Sequence, residues 1–201
     1  KILTYAEQIF SGGFMQIIER DSYLQKLINK RGNGLVKIVT GIRRCGKSFL
    51  LDPLFKDYLI GEKVQEDHII KLDLDERRNE KYRNPDALDE YVRNLIQDDR
   101  MYYLLLDEVQ KVDDFESVLS GFLHIRNLDV YVTGSNSKFL SSDIVTEFRG
   151  RGDEIRVFPL SFSEFTSAFN GTTDEAWQQY VTYGGMPRIV FCADEAEKSH
   201  Y

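Results

Sequence analysis

Residues 41–48 read GIRRCGKS: glycine, four residues, glycine, lysine, serine. No other stretch restricts the fold of this chain so tightly. Glycines at 41 and 46 reach backbone angles that side chains penalise, so the chain can wrap closely and turn its amides inward. A helix beginning at the end of such a loop aims its positive end at the same point, and the two together cradle phosphate oxygens. The pattern arises by chance on the order of once per hundred chains of this length. Its flanks narrow the reading further, because an apolar, β-branched run, LVKIVT, leads in and FLLDPLF leads out. Gly41, Ile42, Arg43, Arg44, Cys45 and Gly46 then supply backbone. Lys47 reaches the β- and γ-phosphates, Ser48 ligates magnesium, and Phe49 closes the binding segment.

Five short apolar runs alternate with helical patterns, at 35–40, 68–74, 102–107, 129–133 and 154–158. That alternation predicts an α/β fold with a five-stranded parallel sheet flanked by helices. One helix is expected over 47–59. A second runs to about 97, capped by Asn84 with Pro85 at its first position. Asp113 with Glu116 reads as a capping box for a third, ending near 127, and Ser161 with Glu164 as a box for SFSEFTSAF. A further helix over 173–183 ends at Gly184, Gly185 and Pro187. After the fifth strand only helices follow. The organisation expected is therefore a core over 15–170 and the beginning of a helical lid over 171–201, with residues 1–14 a non-native or disordered leader.

The second chemical element is YYLLLDE at 102–108, an apolar strand ending in two acids. Asp107 is placed to hold magnesium together with Ser48, and Glu108 to polarise an attacking water. In VYVTGSNS, at 130–137, either Ser135 or Asn136 is placed to sense the γ-phosphate; a plain turn with a helix cap is the alternative. Arg149 and Arg151 flank Gly150. Arg151 is the stronger candidate for an arginine that reaches the nucleotide of a neighbouring copy, against ordinary helix C-capping. Asp73 and Asp75 read as loop acids. Cys45 reads as a variable loop position rather than an oxidisable one.

Composition excludes several classes. With 42% hydrophobic and 29% charged residues in 201, the chain can bury a full core. Its longest apolar run is far shorter than the roughly 20 residues of a membrane helix, so a soluble, cytoplasmic protein is expected. A net charge of -7 gives no general attraction to nucleic acid. The basic stretch 26–37 reads as a solvated helix end, and DNA contact remains possible but unsupported. Two cysteines and three scattered histidines lack metal-ligand spacing.

Together, GIRRCGKSFLL, YYLLLDEVQ, VTGSNSKFLSS, Gly150-Arg151, PLSFSEF and YGGMP resemble the prokaryotic AAA-type ATP-binding proteins whose ATPase domain precedes a C-terminal domain of unknown function. The resemblance covers about 17–190. It implies a P-loop NTPase fold with AAA+ strand order, ATP and magnesium as cofactors, and a missing C-terminal output domain. It is also similar to the signal-transducing ATPases, which implies that Pro187, within Gly185-Met186-Pro187, contacts adenine. No guanine-reading element is found, so ATP and ADP are the expected ligands. Hydrolysis driving a conformational switch is the leading expectation, with a nucleotide-gated interaction module or a DNA-handling motor as alternatives.

Overall fold

The computed structural model describes residues 9–10, 13–14, 17–135, 148, 150–192 and 194–200. The chain divides into two compact units. One comprises Ser22–Arg43 and Lys47–Val157, the other Lys1–Asp21, Arg44–Gly46 and Phe158–Tyr201.

The larger unit is built on β1 (Val36–Thr40), β2 (Ile69–Asp73), β3 (Tyr102–Asp107), β4 (Leu128–Thr133) and β5 (Gly152–Arg156), all parallel, in the order β2-β3-β4-β1-β5. Parallel strands covered on both faces read as continuous apolar runs, which is why β1 and β3 stand where the sequence predicts them. The fifth strand lies two residues earlier than predicted. It is an edge strand, GDEIR, with only Ile155 fully buried, so hydrophobicity could not locate it. Gly152 opens it because a Cβ there would lie 2.8 Å from both Ile38 and Phe148.

Helix α1 (Asp21–Asn29) precedes β1. The helix expected over 47–59 is broken: α2 (Lys47–Phe49) passes into a segment, Leu50–Phe55, that is kinked at Asp52, and then α3 (Lys56–Gly61) follows. Pro53 has no N–H to donate and forces its predecessor out of helical angles, so Asp52 is extended at φ −144°, ψ 116°. Helix α4 (Pro85–Leu95) starts as predicted, with Asn84 Oδ1 accepting from Ala87 N at 3.0 Å. The capping box expected from Asp113 and Glu116 does not form. Asp114 instead takes the cap position of α5 (Phe115–Phe122) in a left-handed conformation, φ 49°, without a side-chain cap. The chain beyond Phe122 unwinds through tight turns, His124 N to Gly121 O and Ile125 N to Phe122 O, which ends the helix short of 127.

One basic residue read as solvated is fully buried. Lys37 on β1 pairs with Asp129 on β4 and also donates to Leu35 O at 2.9 Å. Asp129 accepts further bonds from Gly32 N and Tyr131 Oη, each at 2.9 Å. Burial pushes the Lys37 ammonium below its ordinary pKa and the Tyr131 phenol above its own. Removing one partner of a buried pair strands the other charge. Asp129→Ala should therefore cost about 3–5 kcal/mol in denaturant unfolding, and wild-type stability in that variant would show the pair to be dispensable.

The smaller unit contains a short antiparallel pairing of Ile9–Phe10 with Gly13–Phe14 and a core of Ile18, Leu160, Phe165, Ala176 and Ile189. Helix α6 (Phe162–Ala168) begins with the predicted Ser161–Glu164 box. A second box, Thr172 with Glu175, starts α7 (Thr173–Tyr183); its Thr-x-x-Glu signal was present but unread. Gly184 ends α7 at φ 82°. Gly185 is glycine for another reason: a Cβ there would lie 2.3 Å from Leu160 O. Helices α8 (Pro187–Phe191) and α9 (Glu195–His200) follow. The compact units thus divide after Val157, whereas the sequence suggested a boundary near 170.

Candidate functional site

The loop after β1 has the backbone its glycines permit, with Gly41 at φ 146° and Gly46 at φ 99°. Arg44 is also left-handed, at φ 67°, an uncommon state for a residue with a side chain. Ile42, Arg43 and Arg44 are exposed, whereas Lys47 is buried and donates from Nζ to Ile42 O at 2.9 Å. The Cys45 side chain is buried, which sets it apart from the exposed thiols that oxidants reach.

Parallel pairing brings the C-terminal ends of β1, β3 and β4 together, and the predicted acids meet the loop there. Asp107 Oδ1 accepts from the Thr133 hydroxyl, and the Ser48 hydroxyl stands on the same carboxyl's side of the loop, near enough to act on its charge. Burial pushes its carboxyl above the ordinary range, and those two hydroxyls partly oppose the shift. Glu108 is left-handed at φ 55°, ψ 48°. A side chain held in that region marks local strain, which gathers at functional sites. Its N–H donates to Thr133 Oγ1 at 3.0 Å, and its Oε2 accepts from Ser135 Oγ at 2.7 Å and from Gln110 Nε2. Ser135 thus meets the acid pair directly; Asn136 lies outside the described residues. Asp73 pairs in register with Asp107, while Asp75 is held below the usual carboxylate range by Lys111, 2.9 Å away.

Thr133 and Gln110 were missed in the sequence. Thr133 ends β4 one strand away from the acids, and its hydroxyl accepts from one acid's amide while donating to the other's carboxylate. Only the apolar-to-polar change at the end of VYVT hinted at it.

The raised pKa of Asp107 carries a sign. Between the ordinary carboxylate value and the raised one, the folded chain binds more protons than the unfolded chain, so stability falls as pH rises through that window. Asp107→Asn should therefore melt at or above the wild-type temperature near neutral pH, and its advantage should shrink as pH falls towards the ordinary carboxylate range. A lower melting temperature at neutral pH would contradict this.

Arg151 is not brought to these residues. It precedes β5, where its carbonyl accepts from Val36 N at 2.9 Å and its Nη1 donates to Ser120 Oγ at 3.2 Å. Val36 opens β1 and the loop follows its end, about 13 Å of strand away. Arg149 lies outside the described residues. In the smaller unit, Pro187 stands beside the last loop glycine, its Cγ 3.8 Å from where a Gly46 Cβ would be. Arg20, also missed, is buried there and donates from Nη1 to Cys45 O at 3.1 Å.

Among the described residues no cluster of three or more His, Cys, Asp or Glu has metal-holding geometry, and no helix is long and apolar enough to cross a membrane.

A parallel five-stranded sheet with a glycine-lysine-serine loop after its first strand and an acid pair after its third defines the P-loop NTPase fold. The family model for the AAA domain matches residues 33–166, and the chain belongs to that family of AAA-type ATP-binding proteins. An uncharacterised protein of Haemophilus influenzae is 31% identical over 188 residues, covering 90% of this chain and 46% of its own length. The Walker-type ATPase PABY2304 of Pyrococcus abyssi shares the fold at a TM-score of 0.60 and 18% identity, over 87% of this chain and 66% of that one. The Saccharomyces cerevisiae Hsp104–ADP complex does so at 0.63 and 13%, over 92% and 31%. The chain spans less than half the length of the curated relatives it matches.

Proposed function

We propose that this domain binds ATP with magnesium and hydrolyses it, and that the cycle switches a segment outside the stretch shared with its longer relatives. The observation that carries the reading is one hydrogen-bonded network uniting Asp107, Thr133, Glu108 and Ser135 at the end of the sheet that bears the phosphate loop.

The donor set suits magnesium. Ser48 and Asp107 offer one hydroxyl and one half-buried carboxylate, leaving the remaining positions to phosphate oxygens and water, as a small hard cation prefers. When bound, the ion would neutralise charge on the β- and γ-phosphates. Lys47 exchanges the Ile42 carbonyl for phosphate oxygens, and the loop amides take the rest. Glu108 accepts the proton of the attacking water, with Ser135 and Gln110 setting the direction of its carboxylate. Arg151 acts, in this reading, on a neighbouring copy, and Pro187 borders the adenine. Equilibrium binding of ATP with and without magnesium, followed by phosphate release, tests the proposal. A chain that binds no ATP in either condition would end it. Specific activity that rises with protein concentration is the expected sign of Arg151 acting across an interface.

A second reading, a nucleotide-gated module with little turnover, is favoured by one observation: the Glu108 carboxylate already accepts bonds from both Ser135 and Gln110. Single-turnover measurement separates the two, since a gate would hold unhydrolysed ATP for many minutes.

A further inference from the structure

Arg20 is an isolated arginine in the sequence, yet its side chain is almost wholly buried and its three groups of donors reach three distant segments. Nη1 donates to Cys45 O at 3.1 Å, Nη2 to Phe158 O at 2.8 Å, and Nε lies 2.9 Å from Glu164 Oε1. The Glu164 carboxylate is divided between two tasks. Its second oxygen, Oε2, accepts from Ser161 N and Ser161 Oγ at 2.8 and 3.0 Å and so starts α6. The arginine is therefore aimed by a side chain that is itself fixed.

Cys45 O belongs to the same peptide unit as Gly46 N. In a trans peptide the carbonyl and the following N–H point in opposite directions, and the Cys45–Gly46 bond is not among the cis bonds of the described chain. A carbonyl held towards Arg20 therefore turns the Gly46 amide away from it. Gly46, at φ 99°, lacks the side chain that would otherwise restrict this rotation.

We propose that Arg20 is a positioning residue of the phosphate loop: by holding the Cys45 carbonyl it presets the Gly46 amide for a phosphate oxygen, and through Glu164 it ties that preset to α6. This rests on the nucleotide-binding reading above. It also means that the loop is organised by a residue upstream of α1 as well as by its own glycines.

The test uses the whole chain and two probes, ADP and inorganic tripolyphosphate, together with the amide resonance of Gly46 in isotope-labelled protein. In Arg20→Gln the Gly46 resonance of the ligand-free protein should move while the bulk of the spectrum stays in place. Affinity for both probes should fall about tenfold, the scale of one hydrogen bond to a charged group. An unmoved resonance, or a moved one with unaltered affinities, overturns the proposal. Should Arg20→Gln fail to fold, Glu164→Gln carries the test, because the glutamine oxygen can keep the capping box while its amide nitrogen, a donor, replaces the charged acceptor that Arg20 Nε faces. A moved resonance with weaker binding of both probes is expected, and no change in either overturns the proposal. A wild-type chain that binds neither probe removes the nucleotide reading and, with it, the phosphate role given to Arg20. The resonance separately reports whether Arg20 holds the peptide.

Discussion

Lys47→Ala should lose about a hundredfold or more in ATP affinity, the scale of removing a buried cation's hydrogen bonds from a charged partner. Lys47 is the first residue of α2 and is buried, so its ammonium has little bulk water to return to and few directions in which to extend. Its present partner, Ile42 O, belongs to the same loop, which keeps the charge at the site. Because that partner is a neutral carbonyl, truncation leaves no opposite charge stranded, and folding should survive the change. Titration with a fluorescent ATP analogue checks the affinity, and a thermal melt checks the fold. Near-wild-type affinity would show that the loop amides alone hold the phosphates.

Glu108→Gln should keep ATP affinity within a few-fold and lose about 100- to 10,000-fold in turnover, the span of general-base catalysis. The substitution preserves length and hydrogen-bonding capacity, so Ser135 and Gln110 retain a partner, while the proton acceptor is removed. The strained backbone at 108 is unaffected, since glutamine must adopt the same left-handed angles. Phosphate release under single-turnover conditions, set beside equilibrium binding, reads the two effects separately. Robust hydrolysis by the variant would remove Glu108 from the base role and leave the two carboxylate-binding side chains without a catalytic purpose.

How much was legible in the chain follows from how local each feature is. The phosphate loop, β1 and β3 could be read because their residue types are dictated by immediate neighbours and by burial on both faces. β5 slipped by two residues because an edge strand is under no such pressure. The break after Phe49 was written in Pro53 but outweighed by the apolar run around it. The failed box at Asp113 shows the limit of short motifs: the left-handed turn at Asp114 moves the helix start by one residue, and the spacing no longer matches. Lys37, Thr133 and Arg20 were illegible for a deeper reason. Each acts through partners 92, 26 and up to 144 positions away in sequence (Lys37–Asp129, Thr133–Asp107 and Arg20–Glu164), and no periodicity connects them.

The partial burial of Asp107 has an evolutionary reading. A carboxylate held against its own desolvation is a liability to the fold, and selection retains such a group only where its charge is used. A descendant freed from nucleotide chemistry would gain by exchanging this aspartate for asparagine, a single-atom change that leaves shape and packing intact. The acid is thus a sensitive gauge of use: among longer relatives of this domain, those that had abandoned the reaction would show it first at this position, before the loop or the sheet gave any sign.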